Sequence, residues 1–281
     1  MARIEGHVAR DLVQARLLGA IFSGTVRSEI ALKGGLAMRI LTGSMRYTQD
    51  IDLAASPSIP KKTVASCIER AVAELRSTGL VKGLELHEKS KQTDTTQRWT
   101  VKGVIGTHEV AIKVEVSRRQ EVKADDVTKG SYSPAPGLGA IGVNCVNLPS
   151  MAAGKFDCLQ NPNREAPRDI YDLYILVTMD VRPTREALQA YGREKLAGLR
   201  DMVWAKLEKL DYERAKSELL PYLPPEIAAR LDEARWDEIR YVVEDKVGQW
   251  IDDALAGGEP ARPCRDNDEE DTHDRMAKIP A

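Results

Sequence analysis

The sequence predicts an α+β protein, a mixed sheet flanked by helices and followed by a C-terminal helical bundle. Three patterns carry that expectation. Helical and strand-like stretches interleave through the first part of the chain, a Thr-, Val- and Ile-rich segment alternates from Leu84 to Val116, and helical periodicity runs from Pro149 to about Ala256. With 281 residues, 42% of them hydrophobic, the chain can form one large domain or two ordinary ones around a buried core.

In chain order, Val8, Leu12, Ala15, Leu18 and Ile21 recur at helical spacing and predict a first helix. "EIALKGG" then reads as a short buried strand ending at a glycine turn, "AMRILTG" as a short helix and "DIDLAAS" as the next strand. Pro57 and Pro60 break the chain before the helix "KKTVASCIERAVAELRSTG". "LELHEKSKQ", "TQRWTVKGVI" and "HEVAIKVEVS" read as strands that extend one mixed sheet. "VTKGSYSPAPGLGAIGVN", rich in Gly, Pro and Ser, reads as a loop and marks a boundary near 125–145. The expected organisation is an α/β domain over 1–145, a helical domain over 146–256 and a disordered tail over 257–281.

Composition narrows the function classes. No segment approaches the run of about 20 apolar residues that a membrane helix requires, and the charged opening "MARIEGHVARDLVQARL" is unlike a signal peptide. A cytoplasmic protein with no membrane partner is expected. Cys67, Cys145, Cys158 and Cys264 are scattered without a C-x-x-C pair, which points to reduced structural thiols rather than disulfides or zinc. The formal net charge of −2 hides a division: residues 1–131 hold 21 Lys/Arg against 15 Asp/Glu, and 132–281 hold 20 against 28. A basic first half favours a polyanionic substrate, although such an excess also occurs on ordinary solvated surfaces.

The chemistry concentrates in "KGGLAMRILTGSMRYTQDIDL". Strand alternation turns Asp50 and Asp52 to one side and Ile51 and Leu53 to the core. Two carboxylates so placed can share Mg2+, which is commonly held by one or two carboxylates plus substrate phosphates; a solvated strand face is the alternative. Gly34 and Gly35 lack a Cβ, so backbone N–H groups at the following helix start can approach a triphosphate, or the pair simply makes a tight turn. In "EVAIKVEVS", Val110, Ile112, Val114 and Val116 form one face, and Glu115 lies on the other. If that strand neighbours "DIDL", Glu115 completes an acidic triad as metal ligand or proton acceptor; otherwise it is a surface residue beside Lys113. Arg39 and Arg46 flank the glycine turn and read as phosphate or RNA contacts, or as solvated helix-surface arginines.

Together these residues resemble the nucleotidyltransferase signature, a Gly-Gly or Gly-Ser turn followed by D-x-D, in the form typical of AbiEii-type toxins. "AAGKFDCLQNPNREAPRDIYDLYIL" resembles the second block of that family, a lysine-bearing helix followed by an R-D-x-x-D-L helix. The resemblance spans about residues 8–180 and implies a polymerase-beta-like nucleotidyltransferase fold, a toxin–antitoxin setting with a cognate antitoxin, and nucleotide transfer to an acceptor. The leading acceptor it implies is the 3′ end of tRNA. It also implies that Gly34 and Gly35 line the triphosphate and that Asp50 and Asp52 hold metal, while Arg39, by its place beside the turn, is expected to contact the nucleotide. Glu115 would be the third carboxylate, Lys155 would contact phosphate, and Asp169 would sit near the active site. Two Mg2+ ions, with Mn2+ as a substitute, are the implied cofactors.

Read without the resemblance, Lys155 follows the N-cap candidate Ser150, and an ammonium suits phosphate. Ile170, Leu173, Tyr174 and Val177 make a buried stripe, with Asp169 and Asp172 on an adjacent face; Asp172 could pair with Arg168 or cap a neighbouring helix. Two other functions stay open: a nucleotidyltransferase acting on protein or a small molecule, and a nucleotide- or antitoxin-binding module without catalysis. Neutralisation by phosphorylation near the site would fall on hydroxyls such as Thr42, Ser44 or Thr48.

Overall fold

The structure, a computed structural model, describes residues 6–90, 92–134 and 139–256. The expected disordered tail over 257–281, with Cys264, lies outside the described residues. The chain divides into two compact units, Met1–Ala152 and Ala153–Ala281.

In the first unit, helix α1 (Gly6–Phe22) precedes strand β1 (Ile30–Lys33), helix α2 (Gly34–Thr42), strand β2 (Asp50–Ala55) and helix α3 (Lys61–Ser77). Strands β3 (Lys82–Glu88), β4 (Thr96–Ile105), β5 (His108–Ser117), β6 (Val127–Tyr132) and β7 (Ile141–Val146) follow, and helix α4 (Leu148–Gln160) begins. The strands form one seven-stranded mixed sheet in the order β3-β4-β5-β2-β1-β7-β6. β1 runs antiparallel to β2 and parallel to β7, and β2 runs parallel to β5.

Strand alternation builds the core. Ile51 and Leu53 of β2, and Ile112, Val114 and Val116 of β5, are sealed from solvent, while the residues between them are half-buried or exposed. β4 and β5 are a hairpin closed at the Ile105–His108 pair, where Gly106 takes a left-handed φ of 60°. On α1 the buried arc is wider than the expected stripe. Val8 and Leu12 are half-buried, whereas Ala9, Val13, Leu17 and the polar Asp11 and Gln14 are enclosed.

The segment read as a loop near 125–145 instead supplies two strands. β6 and β7 pair from Val127–Val146 to Tyr132–Ile141, and β7 joins the sheet beside β1. Gly142 and Asn144 mask the alternation of Ile141, Val143 and Cys145, of which Val143 and Cys145 are buried. Burial pushes the Cys145 thiol up to about 12. Cys67, Cys145 and Cys158 are all free thiols, as the scattered spacing implied.

In the second unit α4 continues, then come α5 (Pro167–Thr178), α6 (Arg185–Gln189), α7 (Arg193–Lys209), α8 (Tyr212–Glu218), α9 (Pro225–Ala228) and α10 (Glu233–Ala256). Prolines set several boundaries: Pro167 opens α5, and Pro224 and Pro225 start α9. Thr184 and Asp211 cap α6 and α8 by accepting from the Ala187 and Arg214 amides. α10, 24 residues long, packs against α5 and α7 around the buried Trp236, whose indole N–H donates to the Leu210 carbonyl at 2.8 Å. Among the described residues no helix is long and apolar enough to cross a membrane.

Leu53 is fully buried on the strand that carries the aspartates. Leu53→Ala should lower unfolding free energy by about 2–5 kcal/mol, measured by urea denaturation.

Candidate active site

The site begins where β1 turns into α2. Lys33 ends the strand and Gly34 starts the helix at a φ of 70°, a left-handed conformation that L side chains rarely adopt. In the β1–β2 ladder Lys33 stands opposite Asp52, so the aspartate faces the turn. A Cβ on Gly34 would collide with Asp52 Oδ2, and one on Gly35 would lie 2.6 Å from an Arg46 guanidinium nitrogen and 2.9 Å from Thr48 Cγ2. Gly34 is therefore required by turn geometry as well as by contact, and Gly35 is favoured by contact alone. Lys33 places no side-chain cap on α2, a helix N-terminus whose first N–H groups and positive dipole end suit an anion.

Across the sheet, β5 lies beside β2 in parallel register, Asp50 opposite Lys113 and Asp52 opposite Glu115. Adjacent strands are about 4.8 Å apart, so these four side chains share one polar face. Asp50 Oδ1 is enclosed without a hydrogen-bond partner, and the Lys113 ammonium stands 4.0 Å from it, too far for a hydrogen bond. A carboxylate oxygen enclosed in this way needs a cation or donor to offset its desolvation. Glu115 Oε2 accepts from Arg98 Nε at 2.7 Å, across the β4–β5 pair. The β1-β2-β5-β4 row thus reads Lys33, Asp52, Glu115, Arg98, two anions between two cations.

Among the described residues no three His, Cys, Asp or Glu side chains converge as a ready-made metal cage. Glu115 is in register with Asp52 but is engaged by Arg98 and does not join such a cluster. The residues nevertheless fit Mg2+. That ion is usually held by one or two carboxylates with phosphate and water completing the octahedron, and here two carboxylates, one with an unpartnered enclosed oxygen, lie beside an anion-binding helix start.

Neither flanking arginine is a solvated surface residue. Arg39 donates to Asp11 at 2.7 Å and lies 5.3 Å above the Tyr47 ring, which stacks on His7. Burial raises the Asp11 carboxyl above its usual range, against the opposing pull of Arg39. Arg46 is buried against Gly35. Thr42, Ser44 and Thr48 are each buried, and Thr42 donates to the Met38 carbonyl at 2.7 Å, so none presents its hydroxyl to a modifying enzyme in this conformation. Sequence reading missed Gln14, whose buried amide donates to the carbonyls of Thr48 and Asp50, both at 3.4 Å. Its signal was a polar residue inside an apolar helical arc.

The second unit gathers the other expected residues. The Lys155 ammonium donates to Asp169 at 2.8 Å and pairs with Asp172 at 2.6 Å, and Arg164 grips Asp169 through two nitrogens at 2.6 and 3.0 Å. Asp169 and Asp172, expected on a face adjacent to the stripe, are buried, and Asp172 pairs with Lys155 where Arg168 or a helix cap was the expected partner; Leu176 joins the stripe while Tyr174 is only half-buried. Burial opposes the Asp169 charge, yet Lys155 and Arg164 prevail and hold its carboxyl well below the usual carboxylate range. Lys206, also missed, closes the end of α4 by donating to the carbonyls of Cys158, Leu159 and Asn161.

A mixed sheet with a glycine corner feeding a helix, and a D-x-D strand registered against it, defines a nucleotidyltransferase. The chain belongs to the AbiEii family: the profile described as nucleotidyl transferase AbiEii toxin, type IV toxin–antitoxin system, matches residues 16–240. Among solved structures, an H. pylori protein provisionally assigned as a nucleotidyltransferase is 17% identical with a TM-score of 0.58, over 92% of this chain and 99% of that one, a likeness of fold. JHP933 from Helicobacter pylori is 16% identical over 90% and 97% of the two chains, with a TM-score of 0.49. No curated protein matches the sequence.

Two outcomes follow from this geometry. Gly34→Ala should displace Asp52 and weaken nucleoside triphosphate binding at least about tenfold, since a strained φ of this kind alone costs roughly 1–3 kcal/mol; calorimetric titration reads it. Asp169→Asn should destabilise the protein by about 3 kcal/mol at neutral pH, the lower end for breaking a buried ion pair, because Lys155 keeps Asp172. A depressed carboxyl stabilises the fold above its unfolded pKa and loses that effect as pH falls through the folded one. The gap between wild type and variant should therefore close only below the ordinary carboxylate range, as followed by urea melts.

Proposed function

We propose that this chain transfers a nucleotide from a nucleoside triphosphate to an RNA acceptor, with the 3′ end of tRNA as the leading target, in the cytoplasm. The supporting observation is the Gly34 corner, which sets the Asp52 carboxylate against the start of α2 while Asp50 keeps an enclosed, unpartnered oxygen. Triphosphate oxygens at the α2 N-terminus would meet N–H donors on one side and two carboxylates on the other. A divalent cation would offset the enclosed Asp50 oxygen and the charge of a triphosphate together.

The reaction forms a bond from an acceptor hydroxyl oxygen to the α-phosphorus and breaks the bond to the bridging oxygen, releasing pyrophosphate. Asp50 and Asp52 would hold Mg2+, with Mn2+ as a substitute. Two such ions supply neutralisation of the leaving pyrophosphate and a lowered proton affinity of the hydroxyl. Gly34 and Gly35 orient the triphosphate by letting its oxygens approach the backbone. Glu115 fixes Arg98 and adds a third negative charge to the face, and Arg39, braced by Asp11, supports α2 from its outer side. Lys155 and Asp169 form an ion-paired element of the second unit, and the ammonium would contact a phosphate only by exchanging one of its two carboxylates.

Membership of a type IV toxin–antitoxin family implies an antitoxin partner and a nucleotide substrate. The basic first part of the chain favours RNA over a neutral small molecule as acceptor.

Asp52→Asn should abolish transfer of label from radioactive triphosphates to total RNA while leaving circular dichroism unchanged. Retained transfer by that variant, or labelled product that resists ribonuclease, would overturn the reading.

A further inference from the structure

Helices α7 and α10 of the second unit leave a groove whose walls are unlike the rest of their surfaces. Two cavities, of about 200 and 300 Å³, share Trp204, Tyr241 and Glu244 and so form one continuous trough along the pair. Its floor is apolar: Val203, Leu207, Val247 and Ile251 are 2% exposed or less. Its jaws are aromatic, with Trp204 49% and Tyr241 71% exposed, among the few large apolar side chains that the described residues present to solvent.

The rim is acidic. Arg200 is paired with Asp252, and Arg240 with Asp237, which neutralises both cations of the trough. Glu208 and Glu244 have no ionic partner among the described residues, and Asp245 accepts only from the Gln249 amide. The lining residues of α10, from Asp237 to Ile251, recur at three- and four-residue spacing, a stripe about 21 Å long at 1.5 Å per residue.

We infer that this groove docks a basic amphipathic helix of about four turns, contributed by a partner protein. The apolar floor and aromatic jaws would take its hydrophobic stripe, completing a three-helix arrangement, while Lys or Arg at its flanks would meet Glu208, Glu244 and Asp245. Charge selects this occupant. Aromatic jaws could stack nucleobases, but three uncompensated carboxylates repel a phosphate backbone and an anionic lipid surface alike. The inference is independent of the nucleotide chemistry proposed for the first unit.

The test uses the full chain and a fluorescein-labelled 18-residue peptide with Leu at helical spacing i, i+3 and i+7 and Lys on both flanks. Fluorescence anisotropy should show saturable binding. Glu208→Lys/Glu244→Lys and Trp204→Ala/Tyr241→Ala should each weaken it at least about tenfold, with circular dichroism unchanged because Glu208, Trp204 and Tyr241 are exposed and Glu244 is only half-buried. The same peptide with Glu replacing Lys should not bind. Absence of saturable binding, equal binding by the variants or equal binding of the acidic peptide would overturn the inference. So would RNA binding that is lost in Trp204→Ala, or self-association in sedimentation that is lost with it.

Discussion

The first unit depends on one backbone conformation. Only a residue without a Cβ holds a φ of 70° at the junction of β1 and α2 without strain, and the same missing Cβ makes room for the Asp52 carboxylate. The β1–β2 register then gives this corner its meaning, because it brings Asp52 opposite Lys33 and hence against the helix start. Shift that register by one residue and Ile51 would face the turn while both aspartates entered the core. The sealed packing of Ile51 and Leu53 prevents such a slip, so the apolar face of the sheet holds the polar face in place. Gln14 adds a second restraint by binding the carbonyls on either side of Gln49, just where the chain enters β2.

Legibility from sequence follows the range of the interactions. The turn-and-strand grammar of "KGGLAMRILTGSMRYTQDIDL" is local, and so is the alternation of β5; both specify which residues face which way before any pairing is known. That Asp52 would stand in register with Glu115 could be posed as a condition only, because parallel strands distant in sequence carry no turn to set their register. The Arg98 bridge to Glu115 was invisible for the same reason: it belongs to the facing strand of the hairpin. β6 and β7 were hidden by composition, since glycine, serine and proline around the paired residues outweighed three alternating apolar positions.

The second unit shows a different limit. Helical spacing placed Asp169 and Asp172 together on a face adjacent to the apolar stripe, but it could not show that this face is packed. Both are buried, and that is tenable because Lys155 and Arg164 bring two positive charges to two negative ones with short, directed hydrogen bonds. The R-D-x-x-D-L block therefore has a physical reading that needs no ligand: it neutralises a buried lysine. A lone buried ammonium beside α5 would be far less stable, so the lysine and the two aspartates are best understood as one group.

Charge balance also explains why the polar face of the sheet carries cations at both ends of its carboxylate row. Asp52 and Glu115 on neighbouring strands repel one another, and Arg98 compensates one of them directly. Among the described residues the ionic contact that Asp50 receives is a distant one from the Lys113 ammonium, whose side chain is 65% exposed and therefore weakened by solvent screening. Of the three carboxylates, then, Asp50 is the one with an enclosed oxygen that no donor reaches, and it stands two residues from Asp52 at the glycine corner. A face meant only for solvent would gain nothing from an enclosed, unpartnered carboxylate oxygen on the strand that adjoins a helix start suited to anions. In the proposed reaction, polyphosphate arriving with a divalent ion would satisfy the amides and Asp50 at once, and neither component would satisfy both alone.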